Sequence, residues 1–259
     1  MREHRNALKE RAIEKARIFD MKVLTWYFAI INGLMTLTNK FVIRFQDGNK
    51  KLAADDAIAF IVFSLPAVLT CPGATLLCMR NCYARRDERF IGARTGRIIN
   101  YLISKRNDFE DVLYTSIHNK IYTKKGDLRR KYRGKEIVFR IHESGDFYSE
   151  RYMRAWFKVA AMFPDVTFFA YTKSFRTFDR CADAMPKNFT MRASVWADTT
   201  AVEWGLIAKN HMPIYTAYDE HDFNVAVANG GKECTCESCT KCGCACARRE
   251  NKTMVTRIH

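Results

Sequence analysis

Lys135-Glu-Ile-Val-Phe-Arg-Ile141, then His142-Glu-Ser-Gly-Asp146, then Ser149 to Met162, then Val166-Thr-Phe-Phe-Ala-Tyr171: this stretch decides the fold class. Its first piece is a short run of β-branched and aromatic residues, which reads as a buried strand. Its third piece carries Tyr152, Met153, Trp156, Val159 and Ala160 at helical spacing, opens on Ser149 and Glu150, and is stopped by Pro164. Val166 to Tyr171 is a second strand. Strand, helix and strand in close succession make a βαβ unit, and such a unit builds a parallel pair.

Working outward, the alternation continues. Ala57 to Leu65 reads as a buried strand, and Ala93 to Ser104 and Asp108 to Ile121 as helices. Asp179 to Met185 reads as a short helix, Phe189 to Trp196 as a strand, Val202 to Lys209 as a helix and Met212 to Tyr218 as a strand. The whole predicts an α/β protein with a mainly parallel sheet, either open or closed as a barrel. In both forms functional residues gather beyond the carboxyl ends of the strands. Four segments fall there: the Cys71 to Cys82 loop, His142 to Asp146, Thr172-Lys173-Ser174, and Asp219-Glu220-His221. Upstream, Met1 to Ile18 reads as a charged helix, Asp20 to Phe45 as a hairpin turning at Asn32-Gly33, and Gln46 to Asn49 as a turn. The expected division is an N-terminal extension (residues 1–60), a sheet domain (61–228) and a cysteine-rich tail (229–259).

The 259 residues are 48% hydrophobic, with a mean hydropathy of -0.27, which fits a soluble globular chain. The most apolar run, Val23 to Thr38, falls short of the roughly 20 residues that span a bilayer. Met1 to Asp20 is charge-rich and lacks the apolar core of a secretory signal. The expectation is a cytoplasmic protein with reduced thiols and no membrane association.

Nine of the ten cysteines form two groups. In the first, six residues separate Cys71 from Cys78 and three separate Cys78 from Cys82. Three thiolates on one strand-end loop can hold a metal cluster and leave one coordination position open, which suits chemistry rather than stiffening. Zinc is the alternative, with His118 or His142 as a fourth ligand. In the second group Cys236, Cys239, Cys242 and Cys246 are spaced two, two and three residues apart, the run by which ferredoxins hold 4Fe–4S clusters. Cys234 and Cys244 are surplus, and a zinc knuckle competes. Cys181 stands alone and reads as a buried apolar residue.

The net charge of +15 calls for a polyanionic partner or a solubilising face. It peaks in Lys124 to Lys135, where Lys124, Lys125, Arg129, Arg130, Lys131 and Arg133 flank Tyr132. Basic residues interleaved with an aromatic suit a phosphate backbone, with Tyr132 placed to stack on an unpaired base.

Phe63-Ser64-Leu65-Pro66-Ala67, Thr70-Cys71-Pro72-Gly73-Ala74, Cys82-Tyr83-Ala84, Ser144 to Ser149 and Tyr171-Thr172-Lys173-Ser174 resemble the phage gene product 88 family from about Asn39 to the cysteine-rich tail. The layout is also similar to the radical S-adenosylmethionine superfamily. That likeness implies a partial (β/α) barrel with a 4Fe–4S cluster on Cys71, Cys78 and Cys82. It implies an amine-contacting turn at Glu143, Ser144, Gly145 and Asp146, further cofactor contacts from Thr172 and Lys173, carboxylate contacts from Arg192 and Ser194, and an auxiliary cluster in the tail. The cysteine spacing here is wider than that superfamily's, and the aromatic residue follows the last cysteine rather than preceding it. The resulting expectation is an iron–sulfur protein of radical S-adenosylmethionine type acting on nucleic acid in the host cytoplasm. The alternative is a non-catalytic phage metal-binding protein, with structural zinc or iron–sulfur, that docks nucleic acid or a host protein.

Overall fold

The computed structural model of the chain describes residues 26, 28–36, 41–48, 57–218, 220–233, 246–248 and 253–257. The chain divides into two compact units, Met1–Phe41 and Val42–His259. This division falls within the N-terminal extension expected for residues 1–60.

In the first unit residues 28–36 form helix α1. The hairpin expected around Asn32-Gly33 is not formed: both residues lie inside the helix. The i, i+4 pair Ile31 and Met35 is buried, while Ile30 and Leu34 are exposed. An apolar stripe at that spacing outweighs the roughly 1 kcal/mol that Gly33 costs a helix relative to alanine.

The second unit is one eight-stranded sheet with helices. In chain order it runs β1 (Phe45–Gln46), β2 (Ile58–Phe63), α2 (Leu76–Arg80), α3 (Tyr83–Asp87), α4 (Ile91–Ser104), α5 (Phe109–Ile121), β3 (Glu136–Ile141), α6 (Glu150–Ala161), β4 (Val166–Thr172), α7 (Phe175–Asp179), β5 (Phe189–Val195), α8 (Ala201–Lys209), β6 (Ile214–Tyr218), α9 (Glu220–Ala228), β7 (Lys232–Glu233) and β8 (Met254–Arg257). The strands lie side by side as β1-β2-β3-β4-β5-β6-β8-β7, with β1 antiparallel and every other pairing parallel. Strands β2 to β6 thus follow one another in chain order, and among the described residues the sheet is open, with β1 and β7 at its edges. The expected turn at Gln46 is displaced, because Gln46 pairs with Val62 as an edge strand. The helix expected at Asp179–Met185 starts earlier, at Phe175, because Phe175 and Phe178 are both buried; Ala182–Ala184 is a separate 3-10 turn.

The core is built in register. Ile61, Phe139, Phe168 and Phe189 occupy one row across four strands. The Phe139 and Phe168 rings stack at 5.3 Å. Helix α6 covers this face: Trp156 meets Phe63 edge-on at 5.0 Å and Phe157 meets Phe189 edge-on at 4.9 Å. Ser149 caps α6 by accepting from the Tyr152 amide. Each fully buried aromatic contributes roughly 2–3 kcal/mol.

Alternation puts Phe60, Val62, Val138, Phe169, Arg192 and Met254 on the opposite face. Residues 246–248 cover it. Cys246 and Ala247 pack into its apolar cluster. Arg192, 0% exposed, donates from Nε to the Cys246 carbonyl and from Nη2 to the Arg248 carbonyl, each at 2.9 Å. Thr190 donates to the Ala247 carbonyl at 2.9 Å, and Arg248 forks onto Glu136 at 2.9 and 2.7 Å. Among the described residues no helix is long and apolar enough to cross a membrane.

Candidate thiol site at the carboxyl ends of the strands

The loops after β2, β3, β4 and β5 are stitched together. Leu65 N donates to the Ser144 carbonyl at 2.8 Å and Asp146 N to the Thr70 carbonyl at 3.1 Å. Gly145 makes this possible: its φ is +87°, and a Cβ there would sit 2.6 Å from both Leu65 Cβ and Thr70 Oγ1. Asp146 then ties β3 to β4. Its Oδ1 accepts from Phe147 N and Thr172 Oγ1, both at 2.7 Å, and its Oδ2 accepts from Lys173 N at 2.8 Å. Gly73 presses against the same segment, where a Cβ would meet the Lys173 carbonyl oxygen at 2.1 Å. Lys173 Nζ reaches on to β5, donating to the Ser194 carbonyl at 2.9 Å and to Ser194 Oγ at 2.6 Å.

Cys71, Cys78 and Cys82 are half-buried free thiols around this frame. Thr75 caps the short helix that carries Cys78, and Cys82 stands at the start of α3. Burial raises the proton affinity of the Cys71 thiol, and Asp146, Cys78 and Cys82 raise it further. Burial likewise raises that of Cys78, which Lys173 opposes and Cys82, Asp146 and Asp198 reinforce. Burial lowers the proton affinity of the Lys173 amine, while Cys78, Asp146, Cys71 and Asp198 favour its charged form. Burial raises the Asp146 pKa against the three hydrogen bonds it accepts. Three thiols, the Lys173 amine and two carboxylates are therefore neighbours at this end of the sheet. Among the described residues no three His, Cys, Asp or Glu side chains stand closely enough to hold a metal ion as placed.

Of the expected cofactor contacts, Ser144, Gly145, Asp146, Thr172, Lys173 and Ser194 are brought together, and Glu143 lies beside them, its carbonyl accepting from Tyr83 Oη at 2.7 Å. Arg192 is not: its guanidinium is bonded to the carbonyls of residues 246–248. Asp198 went unnoticed in the sequence. It follows β5, so the strand-end argument reaches it; its Oδ2 accepts from Leu77 N at 3.2 Å and its Oδ1 is buried without a partner. Cys181 is fully buried. Cys246, the last cysteine of the tail's run, is buried in the apolar cluster. Cys234, Cys236, Cys239, Cys242 and Cys244, with Asp219 and Met1 to Ile18, lie outside the described residues.

The basic loop lies elsewhere. Lys124, Lys125, Arg129, Arg130, Lys131 and Arg133 precede β3, at the amino ends of the strands, whereas the thiols follow β2 at the carboxyl ends. The two are separated by a six-residue strand, about 20 Å. Lys131 and Lys120 both pair with Asp47, and Arg129 and Arg133 donate to the carbonyls of Asn119 and Leu128. Tyr132, expected to stack on a base, is 2% exposed and cannot.

A profile of the gene product 88 family matches residues 42–253, which includes every strand-end loop described here. The chain belongs to the gene product 88 family. Among the family's curated members, the Gene 88 protein of Mycobacterium phage L5 is 34% identical over 105 residues, covering 40% of this chain and 43% of that protein. The Gene 88 protein of Mycobacterium phage D29 is 34% identical over 105 residues, covering 40% of this chain and 42% of its own length. The aligned region thus spans less than half of these relatives. No solved structure matches.

Proposed function

We propose that this gene product 88 chain is a metal–thiolate protein whose centre is an iron–sulfur cluster held by Cys71, Cys78 and Cys82. The observation that carries the proposal is geometric: one loop brings three thiols around the Gly73, Asp146 and Lys173 frame, where Cys82 helps raise the proton affinity of Cys71 and Cys78. A metal centre supplies the positive charge that turns such thiols into thiolate ligands. Of the histidines that could complete a zinc site, His142 keeps its Nδ1 buried without a partner, held in the core by its other nitrogen. His142 Nε2 bonds Tyr152 Oη at 2.9 Å, and the His118 ring lies against Tyr114 and Tyr122. Three thiolates with one open iron suit this donor set better than a closed four-coordinate zinc. Because the thiols do not converge as placed, the proposal includes a shift of the 71–82 loop on loading. A second centre in the tail would draw on Cys236, Cys239, Cys242 and Cys246.

The non-catalytic form is the one the geometry favours. Asp146 and Arg192, the groups that a cofactor amine and carboxylate would require, are bonded within the protein. Radical chemistry on bound S-adenosylmethionine is the second reading, favoured by the packing of the cysteine loop against the Gly145 turn. Anaerobic purification followed by iron, sulfide and zinc analysis tests the first reading. The C71A/C78A/C82A variant is expected to lose iron that the wild type holds, and equal iron in both overturns the proposal. Release of deoxyadenosine on reduction would establish the second reading instead of the non-catalytic one.

A further inference from the structure

We propose that the arginine-rich surface from Arg80 to Arg94, on the rim of the thiol recess, docks single-stranded nucleic acid. Residues 79–97 hold six arginines and no lysine. The two acidic residues among them, Asp87 and Glu88, face the buried Arg97 guanidinium at 3.9 and 3.5 Å. Glu88 also accepts from Ala67 N. Glu88 is thus turned inward, and the half-exposed Asp87 is the one carboxylate of this stretch left at the surface among six arginines. Arg80, Arg86 and Arg89 are exposed, and among the described residues no hydrogen bond or carboxylate engages their guanidinium groups. Arginine in place of lysine favours planar, bidentate contact with phosphate and stacking on rings.

Aromatic and apolar surface is interleaved with these charges. Phe90 is 57% exposed and Ile91 69%. The Arg89 guanidinium lies 5.0 Å over the Phe90 ring, an arrangement a stacked base can join. Next to Phe90 the first turns of α4 open onto a cavity of about 420 Å³ lined by Arg44, Gly92, Thr95, Gly96 and Asn100. Two glycines on one helix face let a strand lie close to the backbone, and Arg44 adds positive charge. A duplex presents its bases stacked inward and has no use for Phe90, whereas a single strand can pair phosphates with the arginines and a base with the ring. The loop at 124–133 has cations but has buried its aromatic residue.

The test is fluorescence anisotropy on the full chain with a labelled mixed-sequence DNA strand and its duplex, titrated with salt. The R80E/R86E/R89E variant should weaken single-strand binding by on the order of tenfold and flatten the log affinity–log salt slope by about 2. F90A should weaken the single strand more than the duplex, and R129E/R130E/K131E should change affinity by less than about twofold. The charge-neutral R86Q/R89Q pair gives the same direction of change should the triple reversal fold poorly. Unchanged affinity in both arginine variants, an equal loss from the 129–131 reversal, or tighter binding of the duplex overturns the proposal. Metal content is a separate readout, so the cluster reading and this one can fail independently.

Discussion

His142 shows how the site's frame constrains a single side chain. It sits at φ 66° between Phe63, Phe147 and Tyr152, and burial lowers its pKa to about 3. An unfolded chain titrates near 6.5 and takes up the proton first as the pH falls. Stability present above about pH 6.5 is therefore lost progressively down to about pH 3, amounting to about 2 kcal/mol by pH 5. Asp146, its pKa raised by burial, acts in the opposite direction, so the wild-type curve is a sum. Urea melts of wild type and His142→Asn, which tolerates the left-handed backbone, isolate the imidazole: the variant should lose the slope between pH 6.5 and 5. An unchanged slope would show that His142 is not held neutral. Gly145→Ala tests the junction beside it. Both the positive φ and the 2.6 Å approach to Leu65 and Thr70 oppose a Cβ, so a loss of roughly 2–4 kcal/mol is expected in the same melts.

Among the elements, Arg192 on β5 does the least expected work. It clamps residues 246–248 onto the sheet, and Arg192→Leu would leave the Cys246 and Arg248 carbonyls without their donor. The expected cost is roughly 2–4 kcal/mol in denaturant melts, without loss of the iron proposed at Cys71, Cys78 and Cys82. If iron fell while stability held, Arg192 would belong to the thiol site after all. The sequence made much of this legible. Strands β2 to β6 and helices α4, α5, α6 and α8 were readable because each is long enough to show its own period. Strands β1, β7 and β8 have two to four residues each, too few for any period, and their partners are distant in the chain. Helix α1 was misread because Asn-Gly is a local signal and the Ile31–Met35 stripe is a longer one. At the site, the strand-end argument reached Asp146, Thr172 and Lys173. It missed Asp198 because that residue stands just before the Thr200–Glu203 capping box and reads as helix-start punctuation. The direction in which Arg192 would point had no sequence signal, since it depends on what covers that face.

Across the whole molecule, the thiol recess and the exposed arginines share one end of the sheet, and the basic loop takes the other. The tail is part of the sheet, so truncation after Asn229 would remove β7, β8 and the cover over Phe60, Val62, Val138 and Phe169. Such a protein should aggregate or melt far below the full chain in light scattering and thermal scans. A monomeric truncate of unchanged melting temperature would show that the sheet stands without its last strands. Strand β8 also carries a consequence in time. It lies between β6 and β7, both of which precede it in the chain. A ribosome working from amino to carboxyl end therefore delivers the loops that frame the thiols well before the segment that closes the far side of the sheet. For that interval the sheet lacks its closing strand, and the uncovered face of Phe60, Val62, Val138 and Phe169 is what a chaperone would meet first.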